Sequence, residues 1–215
     1  RHYHGVLQAD AFAGYDRLFS PEREGGPLTE AACWAHARRK IHDVYISTHT
    51  ATAEEALKRI GELYAIEEEI RGLTTEERLA ARQSQSKPLL ASLHEWLVEK
   101  NETLSKKSRL GEAFAYVLNQ WDALCYYCED GLAEPDNNAA ERALRAVCLG
   151  KKNFIFFGSD HGGERGALLY GLIGTCRLNG IDPEAYLRHI LSVLPEWPSN
   201  KVAELLPWNV VLTDK

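Results

Sequence analysis

Apolar residues recur every three to four positions along most of this chain, and that spacing predicts helices. Gly5 to Ala9 is the exception, reading as a short strand with Asp10 at its carboxyl end. A helix is predicted over 11–19, a polar Pro/Gly-rich loop over 20–27, another strand or helix start over 29–36, and a helix over 35–45. Ala56, Ile60, Leu63 and Ile66 to Ile70 then make a stripe on a charged segment. Pro88 interrupts the next stretch, and Leu89, Leu90, Leu93, Trp96 and Leu97 resume the period. A third long helix, over about 105–129, carries Leu110, Phe114, Val117, Leu118, Trp121 and Leu124. Residues from about 47 to 130 therefore read as an all-helical block.

The next helix has both a start signal and a period. Pro135 disfavours helical geometry in Glu134, and Asp136 or Asn137 can cap the first turn. Ala140, Leu144, Val147 and Cys148 predict a buried stripe, while Asn137, Asn138, Glu141 and Arg145 share a neighbouring face. An aromatic run over 153–157 reads as a strand, and Gly158, Gly162 and Gly163 bracket a loop around Asp160 that matches no phosphate-binding spacing. A buried helix is predicted over 167–178, stopped by Asn179-Gly180, and another starts at Asp182-Pro183 and runs to about 194.

Composition narrows the class without choosing a function. The chain has 215 residues, enough for one large domain or a domain with an insertion. No run of about 18 apolar residues and no signal peptide is evident, which predicts a cytoplasmic protein with no membrane span. The absence of methionine predicts a piece of a longer reading frame. The net charge is −6, but its distribution matters more than its sum. Residues 54–78 hold eight Glu against four Lys/Arg, a local charge of −4. Basic residues cluster elsewhere, as Arg38, Arg39 and Lys40, and as Arg142, Arg145, Lys151 and Lys152.

Candidate chemistry is sparse. Asp10 at a strand-to-helix junction can be a cap or a catalytic acid. Cys33 with His36, and Cys125 with Cys128, have the types and spacing of a tetrahedral zinc set, although thiols on an apolar helix also serve as small hydrophobes.

Four blocks, in order, resemble the catalytic segment of the insertion-sequence-66 type of bacterial transposase. They are Leu7 to Tyr15; Cys33 to Lys40; Asp136 to Arg145 with Gly150 to Phe154 and Gly158 to Asp160; and Leu178 to Leu187 with Leu205 to Asn209. The resemblance implies an α/β fold, a partial ribonuclease-H-like core with a large all-helical insertion, predominantly helical overall. It divides the chain into core (1–46), insertion (47–130), core continued (131–194) and tail (195–215). It further implies metal-dependent DNA strand cleavage and strand transfer by three carboxylates, Asp, Asp and Glu. Such carboxylates hold two Mg²⁺ ions about 3.5–4 Å apart.

By position, Asp10 matches the second Asp and Glu141 the Glu, and both are the expected metal ligands. The first Asp is expected before Arg1, so this chain is predicted to be inactive alone. His36 is expected at the DNA end, or else as a core histidine. Arg38, Arg39, Lys40, Arg142, Arg145, Lys151 and Lys152 are expected on phosphates, and Asn137 and Asn138 at the helix start near a metal ligand. The implied partners are transposon-end and target DNA and a second copy in the active complex, in a bacterial, nucleoid-associated setting. Two rivals remain: a non-catalytic DNA- or subunit-binding remnant, and a helical scaffold with no DNA role.

Overall fold

A computed structural model describes residues 3–10 and 13–212. Two compact units emerge, Arg1–Ala139 and Ala140–Lys215. The predicted predominance of helix holds, and the strands among the described residues are two short ones.

In the first unit, β1 (Val6–Gln8) pairs in parallel with β2 (Thr29–Ala31), Val6 opposite Thr29 and Gln8 opposite Ala31. Between them lies the one-turn helix α1 (Asp16–Phe19); the predicted start at Ala11 and Phe12 lies outside the described residues. The ambiguous stretch after the loop is both things in turn, β2 and then α2 (Trp34–Thr48). Parallel strands deliver both carboxyl ends to one edge of the sheet, so Asp10 and the start of α2 arrive together.

The helical block comes next as α3 (Ala51–Glu69), α4 (Thr75–Ala81), α5 (Lys87–Thr103), α6 (Arg109–Asn119) and α7 (Trp121–Cys125). Its predicted stripes are buried: Ala56, Ile60, Leu63, Leu90, Leu93, Leu97, Leu110, Phe114, Val117 and Leu124 share one core with Trp34, Ala37, Ile41 and Val44 of α2. The block packs directly on α2, through α3 and α6. Two expectations change here. Pro88 does not break the helix, because a π-helical turn at Arg82–Ser86 joins α4 to α5 and proline falls in the first turn of α5. The single helix predicted over 105–129 is two, since Gln120 leaves helical geometry (φ −101°, ψ 13°) between α6 and α7.

That π turn carries Arg82, which is fully buried. Its guanidinium grips Glu67 through two hydrogen bonds of 2.8 and 2.6 Å. One terminal nitrogen donates to the carbonyls of Tyr127, Asp130 and Ala133 at 2.8–3.1 Å. Arg78 adds a 2.7 Å pair with Glu134. The helical block thus holds down the loop that leads to Pro135.

The second unit contains α8 (Asn138–Phe154, which starts at the end of the first), α9 (Asp160–Leu178) and α10 (Pro183–Val193). Asp136 and Asp182 cap α8 and α10 as the sequence predicts, Asp136 accepting from the Asn138 N–H at 3.1 Å and Asp182 from the Ala185 N–H at 2.8 Å. Gly180, at φ +70°, ends α9.

Four expectations fail in this unit, the first being the loop around Asp160: α9 starts at Asp160 and takes in Gly162 and Gly163. The stripe on α8 is not buried: Ala140, Leu144 and Cys148 are exposed and Val147 only partly covered. The aromatic run is not a strand, because α8 continues through Phe154 and Ile155 then turns with φ 65°. Helix α9 buries Cys176 but leaves Leu168, Leu169 and Leu178 exposed. The period is present on both helices, but no element of this unit lies over those faces. Its best-covered side chains are Cys176, Pro207, Tyr186 and Leu205, and the Tyr186 hydroxyl donates to the Leu205 carbonyl at 2.8 Å. No helix among the described residues is long and apolar enough to cross a membrane.

Candidate nucleic-acid interface

Asp10 comes just after β1 with its side chain 41% exposed, and its carboxylate lies 4.0 Å from Nε2 of His36. Residues 32–34 fix this corner through three hydrogen bonds. The Ala32 N–H donates to the Ala123 carbonyl, the Trp34 N–H to the Pro135 carbonyl, and the Trp34 indole N–H to the Leu124 carbonyl, at 2.8–2.9 Å. The Gln8 amide donates to the carbonyls of Glu134 and Asp136. The turn over 134–138 is therefore tied to the strand that carries Asp10 and to the helix that carries His36.

Within that turn the Asn137 N–H points at the Cys33 sulfur at 3.5 Å, and the Tyr64 hydroxyl donates to Asp136 at 3.4 Å. Burial and then the Asp136 carboxylate hold the Tyr64 hydroxyl well above its usual range, so it stays protonated and donates. Burial likewise raises the Cys33 thiol. The Asn137 side-chain oxygen is buried without a hydrogen-bond partner, an open acceptor beside the corner.

Helix α2 distributes its basic residues to two sides, as helical spacing dictates. His36 and Lys40, four apart, face Asp10: Lys40 lies 4.5 Å over the Tyr116 ring, and the Tyr116 hydroxyl reaches the Asp10 carbonyl at 3.5 Å. Arg38, Arg39 and His42 instead line a cleft of about 550 Å³ with Ala35, Gly61, Tyr64, Asp136 and Asn138. Sequence reasoning misses His42, Gly61 and Tyr64, because each becomes visible only when α3 is laid beside α2.

Glu141 sits half-buried in the first turn of α8, where an acidic side chain suits the helix dipole. Arg142 and Arg145 are exposed further along, and Lys151 and Lys152 are exposed in the last turn. These five residues belong to the second unit, whereas Asp10, His36, Arg38, Arg39, Lys40, Asn137 and Asn138 belong to the first.

A Mg²⁺ centre of the expected kind needs several hard oxygen ligands around one point. Among the described residues no three of His, Cys, Asp and Glu converge within either unit, and Asp10 and Glu141 belong to different units. The same test fails for a zinc set of Cys33, His36, Cys125 and Cys128. Burial pushes Cys125 up to about 12 and Cys128 up to about 11, while zinc binds thiolates. An aromatic disulfide reagent at pH 8 should therefore modify the exposed Cys148 quickly and reach Cys33, Cys125 and Cys128 only after denaturant is added. Fast release of more than two thiol equivalents from the folded chain would contradict this placement.

The sequence model of the Transposase IS66 family matches residues 1–165, and that of the IS66 C-terminal element matches residues 171–208. The uncharacterized protein y4hP of Sinorhizobium fredii strain NGR234 is 41% identical over 218 residues, which cover 96% of this chain and 40% of that protein. Uncharacterized protein y4jD of the same strain is 38% identical over 211 residues, 96% of this chain and 41% of its own length. Uncharacterized protein YuaK of Escherichia coli K12 is 41% identical over 58 residues, 27% of this chain and 62% of that protein. The chain thus spans about two-fifths of the length of the Sinorhizobium relatives. No solved structure matches it. By its family matches the chain belongs to the IS66 family of transposases.

Proposed function

We propose that this chain is the DNA-gripping part of a transposase's catalytic segment, acting in cleavage and transfer of an insertion sequence's strands. The two-sided display on α2 carries the reading. His36 stands at the Asp10 carboxylate with Lys40 one turn on over the Tyr116 ring, and Arg38, Arg39 and His42 stand in the neighbouring cleft, so a DNA strand held by its phosphates passes close to an acidic side chain. Arg142, Arg145, Lys151 and Lys152 extend the phosphate contacts along α8, and Asp10 and Glu141 are the proposed Mg²⁺ ligands. No group of three His, Cys, Asp or Glu gathers at Asp10 among the described residues, and the activity proposed for this chain alone is DNA binding.

The test is anisotropy with a labelled duplex of about 30 base pairs across a salt series. Affinity should fall steeply with ionic strength, and Arg38→Ala combined with Arg39→Ala should flatten the log–log slope by about two units, about 0.9 per lost phosphate contact. No binding at low salt favours a scaffold with no DNA role. Robust Mg²⁺-dependent nicking by the isolated chain would overturn the assignment of an incomplete site.

A further inference from the structure

The cleft beside α2 holds more than phosphate binding requires. Cations along its edge suffice to grip the backbone of a duplex, whereas the recess itself, about 550 Å³ and within the roughly 300–1,000 Å³ of small-ligand sites, is too narrow for a duplex to enter. Tyr64 and Asn138 also line this recess. Its one carboxylate is engaged, one oxygen of Asp136 accepting from Tyr64 and the other from the Asn138 N–H, and Arg38, Arg39 and His42 outnumber it in the lining. Gly61 lines the recess as well. It lies inside α3, where glycine is unfavourable by roughly 0.5–1 kcal/mol relative to alanine, and a Cβ there would meet nothing within 4 Å. A missing side chain facing open space in mid-helix leaves room for something else.

We infer that this cleft is a subsite for one unpaired nucleotide of a DNA strand, its phosphate on Arg38, Arg39 and His42 and its base against Tyr64 and Asn138. The inference rests on the DNA reading above and names the form of DNA that the first unit prefers. Aromatic stacking of an unpaired base is sequence-tolerant and adds affinity that a blunt duplex cannot gain. Lys40, on the Asp10 side, continues the grip beyond the cleft.

The full chain is titrated with a blunt duplex, with the same duplex bearing a five-nucleotide overhang, and with free deoxynucleoside monophosphate. The overhang should bind about ten-fold tighter than the blunt end. Gly61→Glu adds a carboxylate at this cleft, starting from a Cβ that meets nothing within 4 Å; it should keep the far-ultraviolet circular dichroism while losing the advantage of the overhang over the blunt duplex. Gly61→Ala should retain that advantage and melt slightly higher. Equal affinity for both duplexes overturns the subsite, as does an advantage that survives in a folded Gly61→Glu variant. Competition by the free mononucleotide at the overhang's own affinity marks a small-molecule site and also overturns it. Failure of every DNA to bind removes the DNA reading and the subsite together, whereas salt-sensitive binding with no overhang preference removes the subsite alone.

Discussion

Replacing Arg82 with alanine lowers the stability of the chain by about 3–5 kcal/mol in a urea titration, a large fraction of the roughly 5–15 kcal/mol that an ordinary domain has. The size reflects the groups left behind. Glu67 loses a two-point partner inside the protein, and the carbonyls of Tyr127, Asp130 and Ala133 lose their donor. A buried carboxylate left with only Arg78, at 4.0 Å, as counter-charge costs more than the intact pair ever contributed. Arg82→Lys recovers little, because one ammonium cannot reproduce a planar fork serving a carboxylate and three carbonyls. The double change Arg82→Met with Glu67→Leu recovers more than either single change, since no charge is then stranded. If Arg82→Ala shifts the urea midpoint by less than the equivalent of about 1 kcal/mol, the guanidinium is not the fastener of the loop before Pro135.

The second large effect is at Trp34. Trp34→Ala removes a side chain that is 1% exposed and lies edge-on to Trp121 at 5.8 Å, and a change of that kind costs about 3–5 kcal/mol. Trp34→Phe separates the contributions. It retains most of the volume but leaves the Leu124 carbonyl without its indole donor, at a cost of about 1–3 kcal/mol. Denaturant midpoints of the two variants read the difference directly; equal losses would mean that the hydrogen bond carries the whole effect. Trp34 immediately follows Cys33 and its own N–H meets Pro135, so the variants should also loosen the turn beneath Asn137 and Asn138. Faster amide exchange over 134–138 is the expected sign.

The sequence discloses most where one periodicity can be read over many turns. Ile60, Leu63, Leu93, Leu97, Phe114 and Val117 all lie where their spacing puts them, because the helical block covers every face it predicts. Periodicity misleads in the second unit, where Leu144 and Leu168 obey the same rule with no element of that unit over them. A hydrophobic stripe states that a face can be buried, not what buries it. The π turn is invisible for a different reason: Arg82 reads as an ordinary charged helical residue until Glu67 and three loop carbonyls are brought around it. Among the candidate site residues, Asp10 and His36 are legible as a strand end and a helix start. The partition of α2's cations into two sets is not, since it depends on Tyr116 reaching Asp10 on one side and on Tyr64 and Gly61 flanking the other.

Because a single α-helix carries both sets of cations, their angular offset is written into its pitch. A one-residue insertion between His36 and Arg38 would rotate everything downstream by about 100° against the Asp10 corner. Side-chain identities would all survive while their alignment was lost. Point substitutions on one rim leave the other rim's bearing untouched, so grip and chemistry are separable by mutation on this rod but not by changing its length.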